Sequence, residues 1–317
     1  MRIAAAQARP VWLDRDATTA KACELIGAAA REGAALVAFP ETFLSGYPVW
    51  IRHGDGAGFE DPLQRAAYAQ YLESAVEQDG PQVRDLCAAA ADNGVFVYIG
   101  VSERGARAAR GTVYCTLLAI DPRRGVVGAH RKLVPTHRER MVWGRGDGHG
   151  LRTHEVGGLR VGGLSCWENW MPQARHALYA DGEELHVATW PGWIPQTADI
   201  TRFVAIEGRV AVLSVAGLLS PADIPDDFAL AAALRARPDA GGWFDGGSAV
   251  AAPDGRWLVE PVAGEERLVV ADIDPAEVRG ARLAADPTGH YGRPDVFSVT
   301  VDRRRQVTGA DGPVGGG

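Results

Sequence analysis

The chain reads as a single α/β domain, and three features predict it. Short apolar runs of strand length alternate with stretches that carry apolar residues at helical spacing, through to about residue 280. No linker-like segment and no internal repeat interrupts that alternation. The 317 residues, 46% hydrophobic and 23% charged, have the usual mix of a soluble globular protein and suffice for one large core. Composition and pattern leave open whether the strands form one open sheet or two paired ones.

Arg2 to Gln7 turns apolar after its first residue, as a buried strand does. Asp14 to Gly33 places Ala20, Ala22, Leu25, Ile26 and Ala29 at helical spacing and ends on a glycine suited to stop a helix. Ala34 to Phe39 is continuously apolar, a strand buried on both faces, closed by Pro40-Glu41. Phe43 to Trp50, with Gly46-Tyr47-Pro48, reads as a loop with aromatic walls. Asp61 to Asn93 reads as helix broken at Gly80-Pro81. Val95 to Val101 and Val113 to Ile120 are strands, with a polar turn at Arg104 to Gly111 between them. The turn at Asp121-Pro122-Arg123-Arg124-Gly125 folds the second into a hairpin with Val126 to Lys132. Thr136 to Gly150 is irregular and glycine-rich. Val156 to Cys166 is strand, turn, strand, and Pro172 to Ala180 is a helix opened by its proline. Leu185 to Trp190 is a strand closed by Pro191-Gly192; Thr201 to Val210 is a helix and Ala211 to Ala216 a strand. Leu219 to Gly242 reads as a surface insertion. Gly247 to Ala252 and Arg256 to Glu260 are strands about the Pro253-Asp254-Gly255 turn, and Leu268 to Ile273 is the last strand. Past Asp302, Arg303-Arg304-Arg305 and the closing Gly315-Gly316-Gly317 read as a disordered tail, which sets the domain at 1–305 and the tail at 306–317.

A net charge of −7 argues against nucleic acid as the main partner. No run approaches membrane-spanning length, and Met1 to Gln7 reads as a strand rather than a secretory signal. Cys23, Cys87, Cys115 and Cys166 are widely spaced, which disfavours a zinc site or a disulfide framework and makes a reducing cytoplasm the natural compartment.

Chemistry concentrates at Val161-Gly162-Gly163-Leu164-Ser165-Cys166-Trp167-Glu168-Asn169-Trp170-Met171-Pro172. An apolar run ends in a cysteine, and a polar turn and a helix-starting proline follow. That arrangement presents a thiol at a strand-to-helix corner, although a lone cysteine more often serves as a small buried hydrophobe. A thiol attacks as its thiolate and needs a proton acceptor. Eight histidines are available (53, 130, 137, 149, 154, 176, 186 and 290), none in a cysteine-protease context; His176 and His186 read as structural. A carboxylate whose pKa burial raises can replace histidine, and Glu41, just past a buried strand, is the best placed, unless it merely begins a solvated loop. Lys132 ends the hairpin strand and could stabilise anionic charge on a substrate, or simply be exposed there. Glu139 could hold Lys132 or pair with Arg138 or Arg140.

These motifs, in this order, resemble the carbon–nitrogen hydrolase (nitrilase) superfamily over roughly residues 1–305. The resemblance rests on Phe39-Pro40-Glu41-Thr42-Phe43, His130-Arg131-Lys132-Leu133-Val134-Pro135-Thr136 and Cys166-Trp167-Glu168-Asn169, with the Glu139–Gly144 and Gly146–Gly148 loop between them. Downstream, Ala205–Arg209, Gly246–Ser248, Ala271–Asp274 and Asp286–Phe297 also match. The resemblance implies a four-layer αββα sandwich that pairs into an αββα–αββα homodimer or larger assembly. It implies Cys166 as nucleophile, Glu41 as general base, Lys132 as stabiliser of the intermediate, Glu139 as accessory carboxylate, and the Trp167 amide near the developing charge. It implies no metal and no organic cofactor. Trp167 after the cysteine, and His290-Tyr291 with Arg293-Pro294-Asp295, are most similar to the nitrilase branch, whose reaction converts an organic nitrile to acid and ammonia. An amidase or carbamoylase with the same triad and a cyanide-hydrolysing enzyme are the alternatives. The early end after Arg305 departs from the longer tail that many nitrilases use in assembly. Phe43, Tyr47, Trp50, Trp143, Trp167, Trp170, Trp190 and Trp193 cluster near these motifs and suggest an apolar pocket, with Tyr47, Trp167 and Trp190 as substrate contacts.

Overall fold

Alternation along the first strand, β1 (Arg2–Gln7), assigns the layers. Ile3 and Ala5 face one side and Ala4 and Ala6 the other, and all four are fully buried. Successive side chains of a strand point to opposite faces, so a strand buried on both must lie in an inner layer. The computed structural model describes residues 1–53, 58–106, 109–236 and 243–306, apart from the His53 side chain.

After β1 come α1 (Arg15–Arg31), β2 (Leu36–Ala38), the short α2 (Trp50–His53), α3 (Pro62–Ser74), α4 (Pro81–Asn93), β3 (Phe96–Arg104), β4 (Val113–Asp121) and β5 (Gly125–Arg131). The second half holds β6 (His154–Val156), β7 (Leu159–Ser165), α5 (Pro172–Ala180), β8 (Leu185–Trp190), α6 (Ile194–Gly208), β9 (Ala211–Ala216), β10 (Leu218–Leu219), α7 (Ala231–Arg235), β11 (Phe244–Ala251), β12 (Trp257–Ala263), β13 (Arg267–Asp272) and α8 (Pro275–Ala281). One sheet runs β13-β1-β2-β3-β4-β5; the other runs β10-β11-β9-β8-β7-β6, with β12 also on β11. Ile3, Leu36, Tyr98 and Leu117 of the first sheet pack against Val161, Val187 and Leu213 of the second. Ala4, Val37, Ile99 and Leu118 instead meet Ile26 of α1 and Leu86 of α4. Trp190, Val212 and Ala251 meet Ile200 and Val204 of α6, and Leu164 meets Leu178 of α5. The layers are helix, sheet, sheet, helix, as the αββα expectation requires.

Local chemistry starts and stops these elements where it should. Asp14 caps α1 by accepting from Asp16 N and Ala17 N, and Gly94, at φ +65°, ends α4 in the left-handed conformation. No helix among the described residues is long and apolar enough to cross a membrane.

Three expectations are corrected. The helix placed at Thr201–Val210 begins at Ile194, because Pro195 sits in its first turn, where a missing N–H costs nothing. The surface insertion expected at Leu219–Gly242 is core where it is described: Leu219, Ile224, Phe228, Leu230 and Leu234 are buried. Phe228 meets Trp12 edge-on at 4.8 Å. The segment hides its apolar period by changing element every few residues; residues 237–242 lie outside the described chain. The tail docks at its start. Arg303 donates to Leu151 O, Arg305 to Ala129 O and Asp147, and Gln306 N to Asp147. Residues 307–317, which include the closing glycines, lie outside the described chain.

One glycine ties this frame to the chemistry. At Gly100 of β3 a methyl group would fall well inside contact distance of Pro40 O, Thr42 N and the Glu41 carbonyl carbon, all backbone atoms. Gly100→Ala is therefore expected to lower stability by about 1–3 kcal/mol, the usual cost of overpacking. It should also lower activity at least about tenfold, since the displaced backbone carries Glu41. Denaturant melts beside initial rates check both; an unperturbed variant would show that the corner has slack.

Candidate active site

Three strands of the two facing sheets deliver three side chains to one point. Glu41 lies three residues past β2, Lys132 directly follows β5, and Cys166 directly follows β7. The corner at Glu41 is pinned by its N–H donating to Trp190 O (3.3 Å). Lys132 N donates to Cys115 O and Lys132 O accepts from Gly146 N (2.8 and 2.9 Å), so the lysine backbone is held on both sides.

The Lys132 ammonium is fully buried and donates to Glu41 Oε1 and Glu139 Oε2, each at 2.7 Å. The Trp143 ring lies 5.3 Å from Nζ, adding a cation–π contact. Glu139 is fixed by a capping box in which it accepts from Thr136 N (2.6 Å), and its Oε1 accepts from Tyr47 OH (2.9 Å). The Cys115 thiol donates to Glu41 Oε1 at 3.4 Å. Carboxylate oxygens of Glu41 and Glu139 and the Cys166 sulfur lie within 4.8 Å of one another. All four candidates named from the sequence therefore meet. Two carboxylates and a thiol could serve as metal ligands, but the ammonium between the carboxylates occupies the place a cation would take and repels it.

Burial pushes the Glu41 carboxyl up, against the pull of Lys132 and with a further push from Glu139, to about 7. Burial works against the Lys132 ammonium, but the neighbouring acidic groups Cys166, Glu139 and Glu41 hold its pKa well above the usual lysine value. Burial, reinforced by Glu41, raises the Cys166 thiol well above its ordinary value, while Lys132 and the Trp167 N–H act to stabilise the thiolate. The resting cluster thus holds a protonated thiol, a charged lysine and a carboxyl poised near neutrality.

Cys166 adopts φ +53°, a left-handed conformation unfavourable for a residue with a side chain, so the surroundings must hold it. Two buried networks do so. Glu168 accepts from Ser165 N, Leu133 N and His130 Nε2, stapling the cysteine turn to the lysine strand. Asn169 donates to Cys166 O (2.9 Å) and Leu164 O (3.3 Å), and its Oδ1 is hydrogen-bonded with His186 Nε2 (2.7 Å), whose ring is hydrogen-bonded through Nδ1 with Glu183 Oε1 (2.9 Å). Sequence reasoning missed Cys115, Glu168, Asn169 and the role of His186. The capping-box spacing Ser165-x-x-Glu168 was the available signal for one of them. The structural reading of His186 agrees with its complete burial.

A cavity of about 400 Å³ opens onto the thiol, lined by Tyr47, Ile51, Arg52, Thr136, His137, Arg138, Glu139, Cys166, Trp167, Pro191 and Gln196. Tyr47 and Trp167 line it as expected. Trp190 does not: on β8 its side chain faces α6 and is buried with Ile200 and Val204, so it backs the thiol rather than the cavity. Phe43, Trp50 and Trp143 are likewise core residues, and Trp170 and Trp193 lie outside the lining. The expected apolar aromatic pocket is therefore corrected to a mixed one with cations at its wall.

Comparison with known proteins agrees with this geometry. The carbon-nitrogen hydrolase family profile matches residues 2–283. "Nitrilase blr3397" of Bradyrhizobium diazoefficiens is 40% identical over 288 residues, covering 90% of this chain and 86% of that protein. An "Aliphatic nitrilase" of Rhodococcus rhodochrous is 36% identical over 319 residues, covering 96% and 83%. A solved carbon-nitrogen hydrolase from Helicobacter pylori shares the fold at a TM-score of 0.70 and 18% identity, covering 93% of this chain and 96% of that one. With a profile spanning nearly the whole chain and relatives of this length and identity, the chain belongs to the carbon–nitrogen hydrolase family and is a hydrolase of carbon–nitrogen bonds.

Proposed function

We propose that the chain hydrolyses an organic nitrile to its carboxylic acid and ammonia, with Cys166 as nucleophile. The observation that carries this reading is the Cys166 sulfur beside Glu41 at a cavity, with Lys132 charged and buried next to both. The relatives named as nitrilases support the choice of bond.

In the first step Glu41 takes the thiol proton, sulfur bonds to the nitrile carbon, and the nitrogen gains a proton to give a thioimidate. Water adds to its carbon, giving a tetrahedral species whose charge Lys132 and the Trp167 N–H stabilise. The C–N bond breaks and ammonia leaves with a proton returned by Glu41, leaving a thioester. A second water, deprotonated by Glu41, releases the acid and restores the thiol. Glu139 and Tyr47 position Lys132 throughout. The resemblance also supports a homodimer or larger homo-oligomer, and four unpaired cysteines fit a reducing, cytoplasmic setting.

A panel of small nitriles and matching amides, scored for acid and ammonia, separates this reading from the amidase one. Nitrile turnover should vanish in Cys166→Ala, by at least about a thousandfold. Turnover of amides alone would assign the same residues to an amidase.

Glu41 has to be ionised to accept the thiol proton, so kcat/KM should rise with pH through about 7. The linked effect on stability has the opposite direction. Because its folded pKa is raised from 4.5 to about 7, Glu41 favours the folded state below pH 4.5, and that contribution is lost as pH rises to about 7. Glu41→Gln should remove both dependences, the first with a rate loss of about a hundredfold or more. A wild-type rate profile flat across pH 6–8 would contradict this assignment of the base.

His186→Leu strips Glu183 of its partner and frees the Asn169 amide that holds the Cys166 carbonyl. Stability should fall by about 3 kcal/mol, as when one member of a buried pair is lost. The folded fraction should show a lower kcat with little change in KM, since the nucleophile is displaced and the cavity is not. A change in KM alone would place the effect in the cavity instead.

A further inference from the structure

We propose that the nitrile taken by this site carries a carboxylate, received at the cavity mouth by Arg52 and Arg138. The proposal rests on the nitrile reading above and names the substrate class within it.

Charge placement carries it. Arg52 and Arg138 both line the cavity and both are exposed. Arg138 donates to Ile51 O at 3.3 Å, which holds its guanidinium beside the backbone of Arg52. Arg52 lies 5.8 Å from both the Trp193 and Phe244 rings, which orient it without neutralising it. Among the described residues, neither has a carboxylate within ion-pair distance. This runs against composition, since acidic residues outnumber basic ones 40 to 33. Some exposed arginines are paired, as Arg2 is with Asp272, Arg293 with Asp295 and Arg304 with Asp302; Arg52 and Arg138 differ from the remaining exposed ones in lining the cavity that opens onto Cys166. Two like charges at one cavity wall, in an acidic protein, form a site suited to an anion.

The cavity floor sets the direction. Its one carboxylate lining residue, Glu139, already accepts from Lys132, Tyr47 and Thr136 N, and Glu41 also bonds Lys132. Lys132 thus already donates to two carboxylates, so its charge is largely balanced before a substrate enters. A substrate anion gains little at the balanced floor and is drawn to the arginines, so the neutral nitrile end is the one left facing Cys166. Guanidinium suits this task because its planar fork matches a carboxylate.

Kinetics with cyanobutanoate against hexanenitrile, similar in length and differing in charge, test it. The wild-type protein should prefer cyanobutanoate by at least about tenfold in kcat/KM, expressed in KM, and added salt should shrink the preference. In the Arg52→Gln/Arg138→Gln double variant the ratio should fall toward one. Using the ratio cancels any loss of folded protein. A wild type indifferent to the charge, or a double variant that keeps the preference, overturns the proposal and leaves the nitrile reading intact. Should the protein act on amides and not on nitriles, the nitrile reading fails instead. Succinamate against pentanamide then decides the charge question by the same ratio.

Discussion

A lysine ammonium with no exposure to solvent, held between two carboxylates, is the constraint on which the rest of the site depends. A charge removed from water is tolerated only where its partners are close and its hydrogen bonds are made. Lys132 meets both conditions through Glu41, Glu139 and the face of Trp143. The cluster contains one fixed positive charge and two acids. Glu41, pushed up to about 7, is the group that shares a proton most readily with its surroundings. Moving the thiol proton from Cys166 to Glu41 therefore creates no new net charge in the buried cluster. It relocates a negative charge from one neighbour of the ammonium to another. That makes a thiolate accessible from a thiol whose own burial strongly opposes ionisation.

Such a cluster works only if three independent pieces of chain arrive together, and the sandwich is what brings them. Glu41 and Lys132 come from the ends of two strands in one sheet, Cys166 from a strand in the other. The sheets are locked by interleaved residues on their inner faces, so the separation of the Cys166 and Glu41 strand ends is fixed by core packing rather than by loops. Final adjustment falls to buried polar groups. Glu168 ties the residue before Cys166 to the residue after Lys132, across the sheet boundary. The chain Glu183–His186–Asn169 fixes the carbonyl of a cysteine whose backbone would otherwise relax out of φ +53°.

Legibility in the sequence followed from how local each determinant was. Strands β1, β8 and β9 and helix α5 have the predicted bounds; β8, β9 and α5 stop where Pro191, Gly217 and Asp181 follow them, and α5 opens on Pro172. The start of α6 was misplaced, since Pro195 in its first turn is a stronger start signal than the apolar period that begins later. The same holds at 219–236, where burial is set by Trp12 and Trp50, far away in the chain. Glu41, Lys132 and Cys166 were legible as candidates at strand ends and Glu139 as a carboxylate seven positions after the lysine, while their roles came from the family resemblance. What no spacing could reveal was Cys115 against Glu41, 74 positions away, or which aromatic residues face the cavity. On β8, Trp190 looked like a pocket residue only until the pleat placed it on the helix side.

The cavity and the catalytic cluster also constrain each other electrostatically. The floor holds acids balanced by one lysine; the wall holds two arginines balanced by nothing nearby among the described residues. Effective screening is weakest in the enclosed part and strongest at the exposed mouth. The floor charges therefore interact at close range with groups of fixed geometry, while the arginines act mainly on what approaches. The protein thus separates two tasks along one short path: chemistry where charge is conserved and water is scarce, selection where charge is unbalanced and solvent is present. Any change that adds an anion at the wall or removes one at the floor alters both, because the buried cation of the cluster is already shared between two carboxylates and its charge balance is set by them.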